Sequence, residues 1–165
     1  MGKDTRREIE IIKLIAFDID GVITDGNIYV DQEGHESKRF RLTEIDAINS
    51  IRTLGIDVVA ITGEDTPIVD YFESKIAWKR FIRGCKDKKS ALEHIISELG
   101  IKREEIAYIG DGKYDIEAII YAGYGLCPAN AIEEVKDVAD IVLEGYGGES
   151  CVYELYRWIA NGQYY

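Results

Sequence analysis

Two carboxylates stand one residue apart in Phe17-Asp18-Ile19-Asp20-Gly21-Val22-Ile23-Thr24, directly after the apolar run Leu14-Ile15-Ala16. Side chains alternate along a strand, so Asp18 and Asp20 are expected on one side of the strand end and Ile19 on the other. Like charges held that close are relieved by a cation such as Mg²⁺ or by protonation of one partner. A pair of this kind suits phosphoryl transfer, in which one carboxylate attacks phosphorus while the other gives and takes a proton.

The same arrangement of an apolar run ending in a polar group recurs along the chain. Val58 to Ile61 ends on Thr62-Gly63, and Ile106 to Ile109 ends on Gly110-Asp111-Gly112, with Asp115 four residues past Asp111. Lys88 lies between those runs at the start of a helical pattern. Singly, each has a plain alternative: Thr-Gly is a turn, a helix-start lysine is solvated, Gly-Asp-Gly is a loop. Together they gain weight, because an open parallel sheet gathers the carboxyl ends of its strands around one crevice. Asp115 either supports Lys88 or the waters of a metal, or opens its helix as a cap.

The elements that must position these groups read as βα units. Helical stripes run from Glu44 to Leu54, Asp65 to Lys75, Lys88 to Leu99, Tyr114 to Ala122 and Ala131 to Val138, before the apolar Ile141-Val142-Leu143. Between Gly63 and Lys88 there is room for one helix and a short strand. The segment 26–41 differs: Ile28 and Val30 alternate with polar residues, Asp31-Gln32-Glu33-Gly34 turns, and Glu36 to Phe40 returns. That is a β-hairpin inserted after the first strand, and a two-stranded ribbon needs something to pack against. The expected architecture is α/β, a Rossmann-like three-layer fold with a central, mostly parallel sheet, the inserted hairpin and no cap domain. It divides into a leader at 1–12, one domain at 13–160 and a tail at 161–165.

Composition narrows the function. A chain of 165 residues can bury roughly two-thirds of the surface its unfolded form exposes, enough for one core. The net charge of −11 disfavours a nucleic-acid partner. No apolar run approaches the ~20 residues that span a bilayer, so no membrane partner is expected. Cys85, Cys127 and Cys151 are odd in number and form no CxxC pair, which suits core thiols in a reducing cytoplasm.

The order Asp-x-Asp, Thr, Lys, Gly-Asp-x-x-x-Asp resembles the four motifs of the haloacid dehalogenase superfamily of phosphatases. Thr24 to Tyr29, Lys38-x-Phe40, Gly84-x-x-Asp87-Lys88 and Gly147-Gly148 narrow the resemblance to the uncapped 3-deoxy-manno-octulosonate 8-phosphate phosphatases and the related 2-keto-3-deoxy-nononate 9-phosphate phosphatases. The resemblance implies Asp18 as nucleophile and Asp20 as general acid/base, with Thr62 and Lys88 completing the catalytic set. It implies Mg²⁺ held by Asp18, Asp20 (through its backbone carbonyl) and Asp111. It also implies a homotetramer whose hairpins form a central barrel, so that neighbours cover each other's sites.

Departures from the pattern bear on substrate. Gly112 stands where the group usually has a second aspartate, and Glu64 stands where octulosonate enzymes carry arginine. Thr62-Gly63-Glu64 and Lys75 match the nononate branch, which makes Glu64, Gly63 and Lys75 the expected substrate contacts. Phe72 replaces an arginine of that branch, and Thr43-Glu44-Ile45 replaces the Arg-Asp-Gly of octulosonate enzymes. Arg83 or Lys79 is a candidate for the missing cation. The expected substrate is a small phosphorylated sugar or sugar acid, nononate-type ahead of octulosonate. Two other classes compete: a receiver domain, disfavoured because Asp18 and Asp20 share one strand, and a catalytically weak oligomerisation module like some domains appended to acylneuraminate cytidylyltransferases.

Overall fold

The computed structural model describes residues 12–162; residues 1–11 and 163–165, and with them most of the expected leader and tail, lie outside the described residues. Short apolar runs closed by polar turns make six strands: β1 (Leu14–Phe17), β4 (Asp57–Ile61), β5 (Arg80–Ile82), β6 (Ile106–Ile109), β7 (Tyr124–Cys127) and β8 (Ile141–Val142). They form one sheet in the order β5-β4-β1-β6-β7-β8, and every pairing within it is parallel. The central strands β1, β4 and β6 are buried on both faces, which is why their sequences are nearly unbroken apolar runs.

The pleat divides the core in two. Ile15 and Phe17 of β1 pack with Val58, Ala60, Ala107 and Ile109 against α1 (Leu42–Thr53), α2 (Pro67–Lys75) and α6 (Cys151–Asn161). Leu14 and Ala16 pack with Val59, Ile61, Ile106 and Tyr108 against α3 (Lys88–Leu99) and α4 (Ile116–Tyr121), with Val135 of α5 (Glu133–Lys136) beside them. The result is the expected three-layer sandwich. Helix α3 has its expected bounds because both ends are chemically marked: Asp87 accepts from the Ser90 N–H, and Gly100 takes the left-handed conformation at φ 64°.

Other bounds moved. The 114–122 stripe divides into a 3₁₀ turn at Lys113–Asp115 and α4, and the 131–138 stripe shortens to the single turn of α5. Strand β7 and helix α6 were not anticipated. Helix α6 was legible as Cys151, Val152, Leu155 and Ile159 at helical spacing, but what fixes its start is distant. The fully buried Glu44 of α1 accepts hydrogen bonds from the N–H groups of Val152 (2.8 Å) and Tyr153 (3.4 Å). A carboxylate there satisfies orphan donors at a helix N-terminus.

The inserted hairpin consists of β2 (Tyr29–Val30) and β3 (Glu36–Ser37), paired antiparallel with Tyr29 opposite Ser37. Ile28, Tyr29 and Val30 are exposed on it. Among the described residues only this ribbon separates β1 from α1, and only α2 and β5 separate β4 from α3, so no cap domain is present in them.

Candidate active site

β1 ends at Phe17, so Asp18 leaves the strand and Asp20 already sits in the following turn, where Ile23 and Thr24 donate back to the Ile19 carbonyl. The two carboxylates therefore line one crevice because the chain turns, rather than through the pleat of one strand. Gly21 makes that turn possible: its φ is +80°, and a Cβ there would lie 1.9 Å from Asp111 Oδ2. The Gly147-Gly148 loop packs just as closely on the other side, since a Cβ on Gly147 would meet the Gly21 carbonyl at 1.8 Å. Two loops and the β6 terminus thus converge without side chains between them.

At the floor, Lys88 Nζ lies 2.8 Å from Asp18 Oδ1 and 2.7 Å from Asp115 Oδ1. Asp115 is buried and fully engaged: Oδ1 also accepts from the Tyr108 hydroxyl, and Oδ2 accepts from the N–H groups of Asp111 and Gly112. Of the open readings, support of Lys88 is the one the geometry carries. Burial disfavours the charge on Lys88, but Asp18 and Asp115 outweigh it and hold its pKa above the ordinary value. Burial, with the charge of Asp115, pushes the Asp18 carboxyl well up despite Lys88. The same causes raise Asp111 to about 7. Negative charge is in excess here, and a hard cation is what relieves it.

The donor set fits Mg²⁺. Carboxylate oxygens of Asp18, Asp111 and Asp115 lie within 4.8 Å of one another. With four donors already on Asp115, Asp18 and Asp111 keep the free ligand capacity. Asp20 is tied differently: its Oδ1 accepts from Thr24 Oγ1 at 3.2 Å and from Lys38 Nζ at 2.7 Å.

Lys38 is the residue that sequence reasoning left out of the site. It comes from the hairpin, its side chain is 3% exposed, and its second bond is to Glu64 Oε2 at 2.6 Å. Its only sequence signal was the Lys38-x-Phe40 element. Thr62 is buried at the end of β4, with Oγ1 accepting from the Glu64 N–H.

Asp18, Asp20, Gly63, Glu64, Lys86, Lys88, Asp111 and Asp115 line one crevice of about 320 Å³ together with Gly26, Gly112 and Tyr114. Lys75 is not brought there; its ammonium lies over the Tyr71 ring. Phe72 is core, Lys79 pairs with Asp57, and Arg83 pairs with Asp65, Asp70 and Glu73. Neither Lys79 nor Arg83 supplies the missing cation within the described residues.

This geometry has close counterparts. The profile for haloacid dehalogenase-like hydrolases matches residues 80–147. The 3-deoxy-D-manno-octulosonate 8-phosphate phosphatase of Haemophilus influenzae is 30% identical over 158 residues, 96% of this chain and 88% of its own length. The chain belongs to the haloacid dehalogenase-like hydrolases. Within them it is similar to the octulosonate 8-phosphate phosphatase of Moraxella catarrhalis, solved with magnesium, phosphate and the sugar acid: TM-score 0.89, 32% identity, 96% of this chain and 91% of that one. The cobalt-bound enzyme of Haemophilus influenzae superposes with a TM-score of 0.87 at 31% identity, over 94% of this chain and 91% of that one. These relatives hold magnesium and cobalt, and the oxygen cluster of this chain suits a hard cation.

Proposed function

We propose that this chain is a Mg²⁺-dependent phosphomonoesterase that acts through an aspartyl phosphate on Asp18. The observation that carries the reading is Lys88, fixed between Asp18 and Asp115 where β1 and β6 end, with Asp20 two residues from the nucleophile. Asp18 attacks phosphorus as the ester P–O bond breaks, and the leaving alkoxide takes a proton from Asp20. Water then attacks the acyl phosphate and gives its proton to Asp20, which restores both groups. Lys88 offsets charge on the phosphorylated Asp18, and the Thr62 hydroxyl donates to a phosphoryl oxygen. Asp18, Asp111 and the Asp20 carbonyl would hold Mg²⁺, which would supply positive charge to offset that of the transferring phosphoryl group.

The substrate in this reading is a sugar-acid phosphate. Glu64 matches the motif of the nononate branch and sets a carboxylate beside an anionic sugar acid, an objection that Lys38 weakens by neutralising it. With that objection weakened and octulosonate 8-phosphate phosphatases among the relatives, octulosonate 8-phosphate stands ahead. The exposed Ile28, Tyr29 and Val30 support a homotetramer assembled through the hairpin, and three free thiols suit a reducing cytoplasm. Steady-state turnover of a generic phosphate ester with and without Mg²⁺ tests the activity. A phosphatase turns over repeatedly, a receiver labels itself once, and a structural module releases no phosphate.

A further inference from the structure

Most cations near the crevice are already committed. Lys88 is held by Asp18 and Asp115, and Lys38 by Asp20 and Glu64. Lys86 is not: it lines the crevice, is exposed, and among the described residues has no carboxylate at ion-pair distance. Its ammonium instead lies 5.5 Å from the centre of the Tyr114 ring, which lines the same crevice. Lys113, also without an acidic partner among the described residues, lies 4.9 Å from the centre of that ring. Two ammonium groups are thus gathered at one aromatic ring in a chain whose net charge is −11. The adjoining position 112 is a glycine, so no carboxylate stands there to neutralise them.

We infer that Lys86, steadied on Tyr114 beside Lys113, is a specificity residue that receives the carboxylate of a sugar-acid substrate at the crevice wall. The physical case is one of charge and place. A phosphoryl group at Asp18 leaves the sugar reaching along the wall, where an ammonium without a counter-ion is the group an anionic end would meet. A cation over an aromatic ring is held in position without being neutralised, so it keeps its full charge for a ligand. This rests on the phosphatase reading and names its substrate class.

The test compares octulosonate 8-phosphate with a neutral sugar phosphate, glucose 6-phosphate, for the parent, Lys86→Met and Lys86→Arg. The ratio of kcat/KM for the acid over the neutral substrate should fall about tenfold in Lys86→Met, mainly through KM, and return in Lys86→Arg. Equal losses on both substrates would assign Lys86 to phosphate and overturn the inference. Calorimetric titration with the free octulosonate acid, which needs no turnover, gives an independent reading. Binding weakened about tenfold in Lys86→Met supports the inference, and unchanged or undetectable binding to the parent sinks it. Absence of turnover on every ester by the parent would defeat the phosphatase reading while leaving the titration decisive for Lys86.

Discussion

Lys38 donates a 2.7 Å hydrogen bond to Asp20, from a hairpin eighteen residues further along the chain. The ammonium is almost withdrawn from solvent, and its other bond goes to Glu64. Burial disfavours its charge, but the two carboxylates more than compensate and hold its pKa up. The insertion is therefore tied to the carboxylate proposed as general acid/base, and its removal should disturb chemistry.

Lys38→Met should lower kcat/KM by roughly tenfold or more, because two carboxylates lose the cation that holds them. Lys38→Arg should recover part of it. Steady-state kinetics on one phosphate ester decides the matter, and a methionine variant as active as the parent would show the bond to be incidental.

Asp18→Asn should reduce turnover by on the order of 10³ or more while the protein stays folded. The amide oxygen can still accept from Lys88 and the Ile19 N–H, which is why the fold tolerates the change. Circular dichroism and phosphate release together check this; activity within a few-fold of the parent would remove Asp18 from the nucleophile's role.

Mg²⁺ should raise the melting temperature, since a ligand at about a hundred times its Kd stabilises by roughly 2.7 kcal/mol. Asp111→Asn should lose most of that shift, because Asp111 is a buried carboxylate whose own ionisation is opposed by its surroundings. Thermal unfolding across a magnesium series measures it. A full shift in the variant would place the ion elsewhere.

Glu44→Ala should cost about 1–3 kcal/mol, since two N–H groups at the start of α6 lose their acceptor. Burial raises the Glu44 pKa above its ordinary 4.5. Folding therefore favours the protonated form, and that contribution fades as pH rises through the raised pKa. The stability of the parent relative to Glu44→Gln should accordingly fall from pH 4.5 towards neutrality in urea titrations, with activity per folded molecule unaltered. A relative stability that rises over that range contradicts the sign.

Charged substitutions on the hairpin, Ile28→Asp with Val30→Asp, should convert a tetramer to smaller species. Both side chains are exposed at 48% and 62%, and neither contributes to the core. Multi-angle light scattering of parent and variant at micromolar concentration reads the result, and a monomeric parent would defeat the assembly.

The sequence by itself determined the sheet strands that carry chemistry and the order of the groups at their ends. Buried parallel strands must be unbroken apolar runs; Asp18 and Thr62 each follow one directly, and Asp111 follows one after a single glycine. Helix α3 was equally legible, because Asp87 and Gly100 are local signals that act within a turn of the chain. What only the tertiary structure decided were contacts between residues far apart in sequence. Glu44 fixes the start of α6 from more than a hundred residues away, and no local pattern announces it. Lys38 reads as a polar residue on a ribbon until the hairpin folds back and presents it to Asp20 and Glu64. Lys75, placed on the right helix face by periodicity, ends over Tyr71 because helical spacing fixes direction and not reach. Charge partners are chosen by proximity in space, so the sequence named the carboxylates and Lys88, and the fold alone added Lys38.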